Sequence, residues 1–183
     1  MSCSEQDVRS KAVGSRKGLA VVAAFGLALG LAGCFTPLYS EKAHPGLVED
    51  MRAIEVQPIP NRIGHYLAEN LIADLNGTGQ VASPPKYRLA VKVSTGTQTP
   101  TVNSMVSVAT SATLTGDADF VLTKVDGGAE VAKGTANAAA AYDRTNQRYS
   151  NLRAARDAEI RLARALSQEI SLRVASALAS KSP

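Results

Sequence analysis

The stretch "IEVQPIPNRIGHYLAENLIADLNG", residues 54 to 77, sets two periodicities back to back, and the change between them decides the fold. In "MRAIEVQPI", from Met51, Ala53 and Glu55 oppose Ile54 and Val56. This period of two in β-friendly residues predicts a first strand. Pro58 and Pro60 stop it, because proline has no N–H to give to a ladder. Asn61 then stands where a helix N-cap belongs. Ile63, Leu67, Leu71 and Leu75 recur every four residues, laying one apolar stripe along a helix of roughly 14 residues that Asn76-Gly77 ends. A strand followed by a one-sided helix needs a sheet to pack on.

Downstream, "KYRLAVKVS" puts Tyr87, Leu89, Val91 and Val93 on one face and Lys86, Arg88 and Lys92 largely on the other, so one side is buried and one basic. "TGTQTPTVNS", Thr95 to Ser104, is turn-rich. "MVSVATSATLTG" and "DADFVLTKV" read as strands or one long bent strand. Asp126-Gly127-Gly128 is a hairpin turn, and "AEVAKGTANAAAAYD" is the returning strand. After "RTNQRYSN" a second helix is predicted from about Leu152 to Leu178, with Leu162, Leu166, Ile170 and Val174 on one stripe. Asp157 with Arg161 and Glu169 with Arg173 are acid-before-base pairs at i,i+4. The expected fold is α+β, in β-α-β-β-β-α order, with two helices on one face of a mixed four- to five-stranded sheet. The first two strands, joined through a helix, lie parallel, and the later ones form hairpins. The other sheet face is left for water or a partner.

At the front, "GLAVVAAFGLALGLAGC" runs from Gly18 to Cys34, with Arg9, Lys11, Arg16 and Lys17 before it. A membrane-spanning helix needs about 20 apolar residues; this run is shorter and Gly-rich, and it reads as a signal peptide over residues 1–33. Leu31-Ala32-Gly33-Cys34 forms a lipobox, with small residues beside the bond to be cut and Cys34 as the lipidation site. An ordinary secretory signal or an uncleaved anchor are the other readings. Residues 34–50 then read as a lipidated tether and 51–179 as a single domain. Two acyl chains give stable membrane anchoring. The lipobox resembles that of bacterial lipoproteins in which an aspartate after the cysteine holds the protein at the inner membrane; Phe35 here implies the outer membrane, facing the periplasm.

Losing residues 1–33 removes four basic and two acidic residues, so the formal charge falls from +4 to +2. That balance argues against nucleic acid as a partner. Cys3 leaves with the signal and Cys34 carries lipid, which leaves no thiol for a disulfide or a metal site. The aromatic share is 4% and there is no Trp, so the core is aliphatic. His44 sits in the tether. His65 lies off the apolar stripe, with Glu69 at i+4 and no third ligand in view. No nucleophile motif, zinc motif or phosphate-cradling loop is present, so no catalytic residue, cofactor or metal is expected. Function should lie in a surface.

Four blocks carry a resemblance. "LAGCFTPLYS", "IEVQPIPNRIGHYLAENLIADL", "YRLAVKVS" and "AAAAYDRTNQRYSNLRAARDAEIRLARALSQEI", in that order, resemble the LptE-type lipopolysaccharide-assembly lipoproteins, especially their alphaproteobacterial branch. Members usually carry a Gly after the Cys, where this chain has Phe35. The resemblance implies a plug inside the LptD outer-membrane β-barrel that aids the barrel's assembly and interacts with lipopolysaccharide in transit. From Ser94 to Thr115, eleven of 22 residues are Ser or Thr, which suits a polar barrel lumen and equally a solvated strand face. The family's basic residue between the central strands is replaced here by Thr101-Val102-Asn103-Ser104; Thr101, Asn103 and Ser104 stand as partner-surface candidates. Near the family's second basic position, Arg148 and Arg153 flank the helix start as lipid-binding candidates, since Lys and Arg bind phosphate by charge-assisted hydrogen bonds. Arg88 and Lys92, and behind them Lys124 and Lys133, are further candidates. The alternatives are a stand-alone lipid-binding module and an auxiliary lipoprotein of another lipid transporter.

Overall fold

The computed structural model describes residues 46–77, 84–99 and 110–180. Cys34, Thr101, Asn103 and Ser104, the signal peptide and residues 105–109, the start of the stretch read as strand from Met105, lie outside the described residues. The elements run α1 (Leu47–Arg52), β1 (Ile54–Val56), α2 (Asn61–Asn76), β2 (Tyr87–Gln98), β3 (Ser111–Lys124), β4 (Glu130–Asp143) and α3 (Arg148–Ala179). The four strands form one sheet in the order β1-β2-β3-β4, with β1 parallel to β2 and the later pairs antiparallel. The α+β class and its order are those expected, with one short helix added in front.

That helix, α1, takes residues 47–50, the end of the stretch read as tether, into the domain; residues 34–45 lie outside the described residues. Leu47 and Met51, at i,i+4, are both buried in the core shared by α2 and α3. Two apolar points on either side of the charged Glu49-Asp50 are too few to show a period, so local pattern could not reveal the helix. It also shortens β1, since Ala53 ends α1 and its carbonyl accepts from Lys86 N–H at 2.9 Å. β2 likewise runs four residues past Ser94. Thr95, Gly96, Thr97 and Gln98 pair in register with Gly116, Thr115, Leu114 and Thr113. Turn-rich composition is overridden there by a full ladder and by the β preference of threonine.

Asn61 is the first helical residue of α2 and makes no side-chain cap; Pro60 precedes it and Asn61 takes φ 72°. Asparagine tolerates that left-handed region better than most residues. The stripe is as predicted: Ile63, Leu67, Leu71 and Leu75 are all buried, and the helix ends at Asn76. Gly64 lies against the preceding loop, where a Cβ would come within 2.7 Å of Ile59 Cγ2 and 2.9 Å of Ile59 O. Only glycine lets the chain turn so tightly into the helix.

α3 spans 32 residues, about 48 Å at ~1.5 Å per residue. Leu162, Leu166, Ile170 and Val174 are fully buried. The helix rests on a shelf of small side chains, because Ala132, Gly134, Ala136, Ala138 and Ala140 alternate along the inner face of β4. Gly116 of β3 completes the shelf; a Cβ there would sit 2.9 Å from Leu162 Cδ2. Small residues below and large ones above are how a helix approaches a sheet at interior packing density. The helix begins at Arg148, four residues before the expected Leu152, because the polar run that reads as loop ties itself to the first turn. Asn151 Oδ1 accepts from Thr145 N–H at 2.7 Å, Asn151 Nδ2 donates to Thr145 O at 2.8 Å, and Ser150 Oγ donates to Gln147 Oε1 at 3.2 Å.

The two long helices are joined side by side. Arg62 grips Glu159 through both nitrogens, Nε to Oε2 at 2.8 Å and Nη2 to Oε1 at 2.6 Å. The hydrogen bond and charge of Glu159 hold the Arg62 guanidinium above its ordinary pKa. Further along, Ser167 Oγ donates to Asp74 Oδ2 at 2.5 Å.

Candidate functional site

With α2 and α3 on one side of the sheet, alternation along each strand sends the remaining side chains to the other. β2 presents Arg88, Ala90, Lys92 and Ser94, β3 presents Thr113, Thr115, Asp117, Asp119 and Val121, and β4 presents Thr135, Asn137, Ala139 and Ala141. Among the described residues no helix packs on this face. Its composition is unlike a core face: small residues, hydroxyls and an amide, with few charges.

Those charges are largely tied down across the strands. Asn137 Nδ2 donates to Asp117 Oδ1, and Thr135 Oγ1 donates to Asp119 Oδ1 at 2.6 Å. Thr115 Oγ1 donates to Gly96 O at 3.2 Å. Arg88 Nε meets Glu55 Oε2 at 3.3 Å, and Lys133 Nζ lies 3.5 Å from Glu130 Oε1. Lys92 stands in register with Asp119 and makes no ion pair with a described residue. The surface therefore offers hydrogen-bonding groups with little net charge to strip of water, which is the condition for docking a polar face at modest desolvation cost.

The predicted cations do not form one patch. Arg88 and Lys92 are on the outer face near the β1 end. Arg148 and Arg153 are exposed on the first turns of α3, beyond the end where Ser111 pairs with Asp143. Asp119, in register with Lys92, is eight residue steps along β3 from Ser111, roughly 26 Å at ~3.3 Å per residue. Lys86, grouped with Arg88 in the sequence reading, is engaged by Asp50 at 3.0 Å. That hydrogen bond and charge raise its pKa.

At the α3 start the structure adds what the sequence reading passed over. Tyr149 and Leu152 are 71% and 63% exposed, on a surface that also carries Arg148, Arg153 and Arg156. Their spacing of three is a helix-face signal, hidden because residues 148–151 were assigned to a loop. An apolar ring and a leucine beside guanidinium groups that pair with no described carboxylate can meet an amphiphile with an anionic head.

Elsewhere, a cleft of about 630 Å³ opens between α1, the end of α2 and α3, lined by Met51, Leu75, Ser171 and Leu172 among others. His65 Nε2 lies 3.2 Å from Glu69 Oε1 on an exposed helix face. Among the described residues no three His, Cys, Asp or Glu side chains come together as metal ligands, and no helix is long and apolar enough to cross a membrane.

The fold is similar to that of solved bacterial lipoproteins. A candidate lipoprotein of Caulobacter crescentus CB15 shares 28% sequence identity and superposes with a TM-score of 0.62 over 74% of this chain and 98% of its own. A minor lipoprotein of Acinetobacter baumannii gives 15% identity and TM-score 0.49, over 67% of this chain and 90% of that one. For rare lipoprotein B of Shewanella oneidensis the values are 14% and 0.43, over 69% and 93%. No family model matches the sequence, and no curated protein matches it.

Proposed function

We propose that this chain is an outer-membrane lipoprotein, anchored by acyl chains on Cys34 and facing the periplasm. Its body plugs an LptD-type β-barrel, helps that barrel assemble and assists lipopolysaccharide on its way to the cell surface. The observation that carries this reading is the uncovered sheet face, polar, small and charge-compensated, which suits the polar lumen of an outer-membrane barrel. The likeness to the Caulobacter lipoprotein supports lipid anchoring, and the lipobox supplies the acceptor. Thr101, Asn103 and Ser104 are proposed as further hydroxyl and amide contacts to the same partner. No catalytic step is assigned.

Lipid contact belongs at the α3 start, where Arg148 and Arg153 meet phosphate and Tyr149 and Leu152 meet acyl chain. Arg88 and Lys92 are set apart from it and serve the docking face instead. This same surface favours the second reading, a lipoprotein that binds lipid without a barrel, alone or as an auxiliary of another lipid transporter. One experiment separates them: affinity capture of the chain after mild detergent extraction. Recovery of one large barrel protein, lost on placing Asn137→Arg and Ala139→Arg in the sheet face, supports the plug. Recovery of the chain alone, with lipopolysaccharide binding abolished by Arg148→Glu and Arg153→Glu, supports the second reading and refutes the first.

A further inference from the structure

β4 is 14 residues long and stands at the edge of the sheet. A long free edge is a row of unpaired N–H and C=O groups ready to accept another strand. The far edge, β1, is blunted by its length of three residues and by the prolines that follow. β4 is neither short nor interrupted by proline, and past the bulge opposite Leu122/Thr123 and Lys133 it is a run of small residues, mostly alanine.

The ladder shows which backbone groups are free. Arg144 N–H donates to Thr110 O at 2.8 Å, so even-numbered residues of β4 turn their backbone toward β3 and odd-numbered ones turn outward, as antiparallel pairing alternates. Thr135 and Ala141 are thus outward-facing, and both of their carbonyls are occupied from α3. Arg161 Nη2 donates to Ala141 O at 2.8 Å while its Nε donates to Asp157 Oδ2 at 2.8 Å. Arg173 Nη1 donates to Thr135 O while its Nη2 donates to Glu169 Oε1 at 2.5 Å. Each guanidinium is held by a carboxylate one turn earlier and aimed at the edge. The spacings match: twelve helical residues rise about 18 Å and six strand residues about 20 Å. Between the two contacts Asn137 and Ala139 remain outward, so the two occupied carbonyls interrupt an edge that would otherwise run the length of the 14-residue strand.

We infer that Arg161 and Arg173 guard the β4 edge against strand addition, so that neither a second copy nor a strand of a β-rich partner pairs with it and such a partner must engage the open face. The guard is independent of the proposed function, because its test needs no barrel. The full chain, purified in detergent, is compared with R161A/R173A by analytical ultracentrifugation. Both arginines are exposed, so circular dichroism should report an unchanged fold. The double variant is expected to self-associate with a dissociation constant lower by about tenfold or more, which is ~1.4 kcal/mol. Adding Ala139→Pro, which removes an outward N–H, should reverse that. Amide exchange gives a second readout: in R161A/R173A, protection at Asn137 and Ala139 should rise with protein concentration. Self-association no tighter than that of the parent chain overturns the inference. So does an association that leaves those two amides unprotected.

Discussion

Gly96 and Gly116 sit one register step apart on neighbouring strands, Gly96 opposite Thr115 and Gly116 opposite Thr95, yet they belong to opposite faces. Replacing each with alanine therefore tests which face is roofed. In a strand interior, Gly to Ala gains about 0.5–1 kcal/mol from reduced freedom of the unfolded chain. At Gly96 the new Cβ meets only the Thr115 hydroxyl at 3.3 Å, the end of a half-buried side chain whose weak bond to Gly96 O at 3.2 Å can lengthen by a few tenths of an ångström. The variant should be neutral or more stable by up to about 1 kcal/mol. At Gly116 the Cβ would lie 2.9 Å from Leu162 Cδ2 and 3.3 Å from Leu166 Cδ1, and both leucines are fully buried on the sheet-facing side of α3. Overpacking of that kind costs about 1–3 kcal/mol, which outweighs the backbone gain and leaves a net loss of roughly 0.5–2 kcal/mol. Urea unfolding followed by circular dichroism reads both as shifts in midpoint at constant slope. Leu162→Val should recover part of the Gly116→Ala loss by withdrawing the clashing methyl. Equal effects at the two glycines, or stabilisation at Gly116, would mean that α3 does not lie on this face and that the open surface has been misassigned.

Two further outcomes follow from the ion pairs. A double-mutant cycle on Arg62→Ala and Glu159→Ala should give a favourable coupling, since the contact is bidentate, and it should shrink in high salt. The Lys86–Asp50 contact raises the Lys86 pKa, so its stabilisation is complete below the unfolded-state pKa of about 10.4 and is lost as pH rises through the higher folded value. The parent chain should thus lose more stability than Lys86→Met on raising the pH across that window, and parallel alkaline limbs in thermal melts would contradict the assignment.

Most of the secondary structure was legible because its signals are local. The Ile63/Leu67/Leu71/Leu75 and Leu162/Leu166/Ile170/Val174 stripes and the alternation in "KYRLAVKVS" each sit inside one element. They also determined which strand faces turn inward, and hence that one face of the sheet would be left open. The candidate site was legible in outline only. Arg88, Lys92, Arg148 and Arg153 were found as residue types, but their separation into a sheet face and a helix start depends on strand register, which no single segment contains.

What the sequence by itself determined is the order of elements and the sidedness of each, since periods of two and of about four residues are written in consecutive positions. What only the tertiary structure decided is everything that needs two distant segments at once. α1 exists because Leu47 and Met51 find a core built by α2 and α3. The length of β2 follows from the ladder that β3 offers it. Arg62 meets Glu159, and Arg161 and Arg173 reach the β4 edge, only when helix and sheet are brought side by side. Such contacts draw their energy from partners far along the chain, and a partner that far away leaves no period to read.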